Sequence, residues 1–196
     1  MTEVKILIEG YAKEENGVEL ASSSVVLLRE NDLNIIIDPG MNRLLLLKNL
    51  EAEGLSPKDI DYVVLTHTHL DHCLLVGIFE NAKVLDSDSV YSFDGKIISY
   101  DGKISGTNIE ITETPGHDQF HCSLLVNTEK YGKVAIVGDV FWWRTGESQE
   151  TDNEKLINRN DPYVKNESQL IESRKKVLEV ADYIIPGHGK MFKVNK

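Results

Sequence analysis

The chain of 196 residues has only two cysteines, no long apolar run and few basic residues. Cys73 and Cys122 are too few for a disulfide framework, so we expect two buried free thiols. No apolar run approaches the ~18 residues that cross a membrane. Residues 1–8 carry charge and lack the apolar block of a signal peptide. We therefore expect a cytoplasmic protein that does not associate with membranes.

The charge balance is acidic, with 32 Asp and Glu against 21 Lys and Arg and a net charge of −11. A protein that holds long nucleic acid needs many basic side chains for phosphate contacts. The sequence therefore predicts no extended nucleic-acid surface, although cutting one phosphodiester at a cationic centre remains compatible with this charge. The small basic cluster Arg174, Lys175 and Lys176 is expected on a solvated helix face.

What the sequence does contain is histidine at close spacing, in the run His67-Thr-His69-Leu-Asp71-His72. Imidazole and carboxylate are common metal ligands, and such a density is hard to explain without a metal ion. The apolar stretch 61–66 before the run reads as a buried strand. Residues two apart project to one side of an extended segment, so His67 and His69 can bind one ion together. Asp71 and His72 follow as the chain turns and could bind a second.

Three further residues stand in motifs of the same kind. His117 ends Thr-Pro-Gly-His, His188 lies in Pro-Gly-His-Gly, and Asp139 follows the apolar run Val-Ala-Ile-Val-Gly. Each alone could be a helix cap, a core side chain or a turn residue. Beside the first run, they are better interpreted as further metal ligands.

Length and hydrophobic content of 41% predict a single domain over residues 1–196. Strands followed by a helix, then more strands and another helix, predict an α/β fold, the αββα four-layer sandwich, with ligands on loops at one edge. An apolar stretch at 73–79 suggests a helix behind the site, and Ser56-Pro57 a helix start. Predicted strands are 4–10, 22–28, 33–37, 61–66, 83–85, 96–100, 109–113, 123–127, 133–137 and 183–185, with helices at 41–53 and 166–180.

The ordered motifs resemble those of the metallo-β-lactamase superfamily of binuclear hydrolases, and Ile-Ile-Ile-Asp38-Pro39-Gly40 resembles its first segment. The resemblance implies one metal on His67, His69 and His117, a second on Asp71, His72 and His188, and a bridging Asp139. It implies two divalent ions, Zn²⁺ first, with Fe²⁺ or Mn²⁺ as alternatives. A hydroxide bridging the metals would be the nucleophile, oriented by Asp71 as a catalytic group.

Asp at position 139, where lactamases of the superfamily often have Cys, argues against β-lactam hydrolysis. The segments around His117, Asp139, Ser173–Leu178 and His188 resemble the metallo-β-lactamase domain-containing protein 1 family, whose animal member is described as an endoribonuclease. We therefore expect phosphodiester hydrolysis of RNA. A thioester or ester hydrolase of glyoxalase II type is the alternative, and a non-catalytic metal-binding protein the second alternative.

The substrate would be a small molecule or single-stranded RNA, and a homodimer stays open. Phe141, Trp142, Trp143 and Arg144 could stack a base or hold an acyl group, or could be core packing. His121 could protonate the leaving group or act behind a ligand. Residues 145–163 are polar and predict a long loop, either a lid or a surface loop.

Overall fold

The computed structural model describes residues 1–196. Two main sheets and a separate two-stranded hairpin contain all of the strands. The first sheet has the order β1 (Glu3–Ile8), β4 (Val25–Glu30), β5 (Leu33–Ile37), β6 (Tyr62–Val64), β7 (Lys83–Leu85), β8 (Ser89–Tyr91), β9 (Ile97–Ser99). The second has the order β10 (Glu110–Glu113), β11 (Cys122–Thr128), β12 (Gly132–Ile136), β13 (Tyr183–Ile185), β14 (Phe192–Lys193). The hairpin is formed by β2 (Tyr11–Glu15) and β3 (Val18–Ser22).

The central strands of the first sheet contain continuous apolar runs, residues 25–28 in β4 and 35–37 in β5, because both faces of the sheet are covered there. In β4, Val26 and Leu28 point into the core between the two sheets, where they meet Leu124 and Val134 of the second sheet. Their neighbours Val25 and Leu27 point to the opposite, outer core. A continuous apolar run here therefore belongs to a strand buried on both sides.

One helix covers the outer face of each sheet. The helix α1 (Arg43–Ala52) is capped by the Asn42 side chain, which accepts from the Leu45 N–H, and buries Leu46 and Leu50 against the first sheet. The helix α4 (Glu167–Val180) is capped in the same way by Asn166 and packs on the second sheet. The layers are thus helix, sheet, sheet, helix, and the predicted αββα fold is confirmed.

Several local predictions were wrong. The stretch 73–79 does not form one helix: α2 (Leu70–Cys73) is a single turn, followed by a 3₁₀ turn over Val76–Ile78. Ser56 does cap a helix with Pro57 at its first position, as predicted, but that helix is only the 3₁₀ turn Pro57–Asp59; the Asp59 carboxylate accepts from both the Ser56 N–H and its hydroxyl. The hairpin strands and the strands β8 and β14 were not predicted.

The segment 145–163 is not a structureless loop, because it contains the helix α3 (Asn153–Ile157), capped by the Asp152 side chain. The interpretation of Arg174 as part of a solvated face was also wrong, since its side chain is buried and donates to main-chain carbonyls. No helix has the length and apolar character needed to cross a membrane.

Candidate metal centre

The seven predicted ligands meet at one edge of the sandwich. The strands β5 and β6 run parallel in one sheet and β12 and β13 run parallel in the other, so the segments that leave their carboxyl ends can converge. The ligands come from the segments after β6, β10, β12 and β13: His67, His69, Asp71, His72, His117, Asp139 and His188.

The first group consists of His67, His69, His117 and Asp139, each with one candidate ligand atom. His69 Nδ1 lies 3.2 Å from His117 Nε2. Asp139 Oδ2 lies 3.4 Å from His117 Nε2 and 3.9 Å from His67 Nε2. Ligands about 2.1 Å from a tetrahedral ion are about 3.4 Å apart, so these spacings fit one ion.

The second group consists of Asp71, His72 and His188. His188 Nε2 lies 3.1 Å from Asp71 Oδ2, and His72 Nε2 lies 4.0 Å from the same oxygen. The other carboxylate oxygen of Asp139 lies 3.2 Å from His72 Nε2 and 3.7 Å from His188 Nε2. Asp139 thus presents Oδ2 to the first group and Oδ1 to the second, which is the arrangement of a bridging carboxylate.

Three buried atoms of this cluster have no hydrogen-bond partner: His67 Nε2, His72 Nε2 and Asp139 Oδ1. An unpaired buried polar atom is costly. A cation in the first group would satisfy His67 Nε2, and a cation in the second group would satisfy His72 Nε2 and Asp139 Oδ1. The donor set contains nitrogen and oxygen but no thiolate, so the residues fit divalent ions, typically zinc.

Four of the imidazoles are oriented by a partner on the nitrogen that faces away from the cluster. His72 Nδ1 donates to Asp38 Oδ2 at 2.8 Å, and His188 Nδ1 donates to the Tyr11 carbonyl at 3.1 Å. His117 Nδ1 donates to Asp161 Oδ2 at 2.6 Å, and His67 Nδ1 lies 3.1 Å from the Thr66 hydroxyl. Such partners fix the tautomer and leave the opposite lone pair free for a metal.

Asp38 is the most connected of these partners. It is buried, adopts a left-handed φ of 47°, and accepts from the Thr66 N–H and the Thr66 hydroxyl as well as from His72. A non-glycine residue in this region of φ is uncommon and marks a local constraint. Asp38 therefore ties the end of β5 to both ends of the ligand segment that follows β6, at Thr66 and at His72.

Burial and mutual charge shift the pKa values of the cluster. Burial lowers the pKa of His67 and of His69, and so favours the neutral imidazole that a metal requires. Burial opposes a charge on His72, but the carboxylates of Asp139 and Asp38 outweigh it and raise the pKa of His72. Burial would likewise raise the pKa of Asp139, but the nearby His72 and His188 hold it well below its usual range.

A cavity of about 510 Å³ opens above the cluster. Its floor is formed by His69, Asp71, Asp139 and His188. One wall comes from the β2–β3 hairpin and its neighbours. Its apolar part is formed by Ala12, Leu20, Ala21, Met41 and Leu70, and the hairpin adds the charged residues Lys13, Glu14 and Glu19. The opposite wall comes from Trp142, Arg144 and Tyr163, with the rings of Trp142 and Tyr163 5.7 Å apart.

Only two of the four predicted pocket residues, Trp142 and Arg144, line this cavity. The prediction was wrong for Phe141 and Trp143, which are buried in the core between the second sheet and α4. Phe141 is extended, so successive side chains alternate between the core and the pocket. Of these three successive residues, Trp142 faces the pocket, and its ring centroid lies 6.3 Å from that of His188.

His121 does not reach the cavity, so the structure contradicts its prediction as a proton donor to the leaving group. Its Nε2 accepts from the Asp139 N–H at 3.2 Å, and its Nδ1 lies 3.0 Å from the Thr114 hydroxyl. Burial lowers the pKa of His121 to about 3, so the ring is neutral near pH 7. The side chain instead supports the main chain of Asp139 from behind.

Sequence reasoning missed two contributors, Asp161 and the hairpin wall. Asp161 lies in the polar segment before Pro162, where nothing distinguishes it from neighbouring Asn and Asp residues. The hairpin had one signal, the turn Glu14-Glu-Asn-Gly17, because Asn-Gly is a strong hairpin turn.

Comparison with known proteins agrees with this geometry. Residues 18–91 match the family model of the metallo-β-lactamase superfamily. The metallo-β-lactamase domain-containing protein 1 of Xenopus laevis is 31% identical, over 98% of this chain and 82% of its own length. Its human namesake is 34% identical, but the chain spans only 59% of that protein. A Methanocaldococcus jannaschii protein named "Probable metallo-hydrolase" is 32% identical over 94% of this chain and 86% of its own.

Solved structures agree as well. A Thermotoga maritima protein classed with the metallo-β-lactamases has a TM-score of 0.74 and 25% identity, covering 98% of this chain and 99% of that one. AidC, a dizinc quorum-quenching lactonase, has a TM-score of 0.68 and 18% identity, covering 91% of this chain and 77% of AidC, which supports the fold alone. From these similarities and the convergent His and Asp side chains, the chain belongs to the metallo-β-lactamase superfamily and is a metallo-hydrolase.

Proposed function

We propose that the chain hydrolyses an ester or thioester bond of a small substrate with an apolar acyl part. The observation that carries this proposal is the cavity of about 510 Å³, which has the candidate metal ligands on its floor and, beside them, an apolar patch of Ala12, Leu20, Ala21, Met41 and Leu70. Cavities of this size and lining suit small molecules with a few fixed polar contacts. The net charge of −11 also disfavours a long polyanion.

Divalent ions at this cluster would activate a water molecule as nucleophile and stabilise the developing negative charge on the substrate. Among the acids, Asp71 is the more accessible, with a side chain 24% exposed against 8% for Asp139. Asp71 is therefore the carboxylate that can orient the nucleophile by hydrogen bonding. The hairpin, together with Trp142 and Tyr163, would hold the acyl part and exclude water around the reacting carbonyl.

Cleavage of single-stranded RNA is the second candidate. It is favoured by the similarity to the metallo-β-lactamase domain-containing protein 1 family and by the wall opposite the hairpin. There Trp142 and Tyr163 present rings on which a base can stack, and Arg144 offers a cation for a phosphate. With either candidate function we propose a cytoplasmic location, which suits the two free cysteines.

The two candidates are tested with one set of proteins. Wild type and the variants Leu20→Asp, Arg144→Ala and His67→Ala are assayed with neutral acyl esters and thioesters of increasing chain length, and with an end-labelled single-stranded RNA. We expect kcat/KM for the esters to increase with chain length in the wild type and to fall in Leu20→Asp, because a carboxylate replaces an apolar side chain of the patch that would contact the acyl part.

Arg144→Ala should leave hydrolysis of the neutral esters unchanged, and His67→Ala should abolish all turnover and so control for contaminants. Internal RNA cleavage that is lost in Arg144→Ala, without ester hydrolysis, would overturn the acyl proposal in favour of the nuclease. No metal-dependent turnover of any of these substrates by the zinc- or manganese-loaded protein would contradict both candidates.

A further inference from the structure

Residues 157–166, here called the strap, run past both the ligand His117 and the pocket wall. The N–H groups of Lys165 and Asn166 both donate to the Gly116 carbonyl at 2.9 Å, directly before His117. Near the other end, Arg159 Nε donates to the Trp142 carbonyl at 3.0 Å. The strap is therefore fastened to the loop that carries His117 and to the segment that carries Trp142.

A buried guanidinium anchors the beginning of the strap. Arg174 of α4 donates from Nε to the Val140 carbonyl at 3.0 Å and from Nη1 to the carbonyls of Ile157 and Arg159. These acceptors lie in the segment after Asp139 and in the strap. Arg174 has no carboxylate partner and instead holds these two segments together through their main-chain carbonyls. It therefore fixes the position of the strap relative to the segment that follows Asp139.

At the centre of the strap, Asp161 receives three hydrogen bonds and is only 6% exposed. Its Oδ2 accepts from His117 Nδ1 at 2.6 Å. Its Oδ1 accepts from Trp142 Nε1 at 3.3 Å and from the Tyr163 N–H at 3.0 Å. One carboxylate therefore joins a ligand of the first metal group to both aromatic residues of the pocket wall.

We propose that Asp161 is a positioning residue that couples the first metal group to the substrate wall, holding His117 with one oxygen and Trp142 and Tyr163 with the other. The inference rests on the proposed metal-dependent hydrolysis and extends it to the relation between metal binding and substrate binding. Binding free energies couple reciprocally, so order imposed on the wall by substrate favours metal binding, and metal binding favours the ordered wall.

The chemistry of the contacts makes Asn an informative replacement. All three partners of Asp161 are donors, which a carboxylate can satisfy because both of its oxygens accept. An amide has one accepting oxygen and one donating NH₂. Asp161→Asn must therefore place a donor against either His117 or the pair Trp142 and Tyr163, although it keeps the size and shape of the side chain.

The experiment compares wild type, Asp161→Asn and Trp142→Phe in three measurements: zinc affinity by competition with a chromophoric chelator, kcat and KM for the best acyl ester, and near-ultraviolet circular dichroism. We expect a 10- to 100-fold weaker zinc affinity in Asp161→Asn, the usual range for loss of a partner behind a metal ligand. KM should rise in both variants. Trp142→Phe should bind zinc as the wild type does, because its His117–Asp161 hydrogen bond remains.

A measurement on the metal-free wild type keeps the inference testable if Asp161→Asn does not fold. The ¹⁵N shifts of the His117 ring report its tautomer, and at a pH where the ring is neutral we expect the proton on Nδ1. A proton on Nε2 would overturn the inference, and so would an Asp161→Asn protein with wild-type zinc affinity. If the wild-type protein bound no zinc, the proposed function would be refuted. The tautomer of the His117 ring would still test the role of Asp161 in that case.

Discussion

Replacing Gly187 with Ala should disable the metal cluster without changing any ligand. Gly187 precedes His188, and a Cβ built on it would overlap the Oδ1 atom of Asp139. Its φ lies outside the left-handed region, so alanine can adopt the backbone conformation there. The substitution therefore tests the spacing between Gly187 and the bridging carboxylate rather than backbone strain.

The main chain next to Gly187 sets how far the alanine Cβ would displace its neighbours. The added Cβ would lie 2.8 Å from the carbonyl carbon of Gly138, about 0.6 Å short of the 3.4 Å at which ordinary contact begins. The carboxylate of Asp139 must move farther, because its overlap is greater. Metal–ligand distances tolerate only about ±0.2 Å, and a misplacement of about 1 Å in a catalytic site can cost about 100-fold in rate. We expect at least that loss in kcat/KM and a loss of bound metal.

The assay is metal content by mass spectrometry, with kcat/KM for the best ester and the urea midpoint of unfolding. Gly77→Ala is the matched control, because nothing lies within 4 Å of a Cβ at Gly77 and its φ is also outside the left-handed region. That variant should keep full activity and metal. A Gly187→Ala protein with wild-type metal content and activity would refute the geometry of the bridging carboxylate.

Three further predictions concern stability. His121→Ala should cost about 1–3 kcal/mol in urea unfolding and lower activity, because the buried Asp139 N–H loses its acceptor; an unchanged midpoint would contradict this. Zinc at 100 times its dissociation constant should stabilise the fold by about 2.7 kcal/mol, and a chelator should reverse the rise in Tm; no shift in Tm would contradict folded-state metal binding. Glu30 is buried and accepts from Thr2 and Asn108, and although burial raises its pKa, these hydrogen bonds lower it. The stabilisation by the Glu30 carboxylate should be present above the unfolded pKa of about 4.3 and lost as the pH falls through the lower folded pKa. Between pH 5 and 3, the urea midpoint of Glu30→Gln should therefore fall less than that of the wild type. An equal fall in both proteins would contradict this role of Glu30.

The sequence predicted the layers and the cluster of candidate ligands because both are encoded locally. Apolar runs such as 33–37 lie in strands covered on both faces, and cap residues such as Asn166 begin helices where the pattern predicts them. The run from His67 to His72 supplies four candidate ligands within six residues, so no long-range contact had to be guessed. The grouping of seven residues around two centres then followed from the family resemblance, and the structure brings the same residues together.

What could not be predicted depends on contacts between distant segments. Asp161 is 44 residues from His117, and its hydrogen bond exists only because the strap crosses the loop that carries His117. The prediction of which aromatic side chains line the pocket failed for a different reason. Phe141 and Trp143 lie in the core and Trp142 lines the pocket, as the period of two in an extended segment would give, but the sequence does not say which phase faces the cluster.

The β2–β3 hairpin has a consequence for how this protein could acquire new substrates. Its strands form one wall of the cavity, yet the only ligand support it provides is at its base, where the Tyr11 carbonyl receives His188 Nδ1. That contact comes from the main chain and persists whatever side chains the hairpin carries. Positions 12–21 can therefore vary, or be exchanged as a cassette, while the chemistry beneath stays the same. Under the proposed function, the share of substrate choice that depends on this wall is therefore separable from bond breaking, whereas the opposite wall is tied to the metal cluster through Asp161.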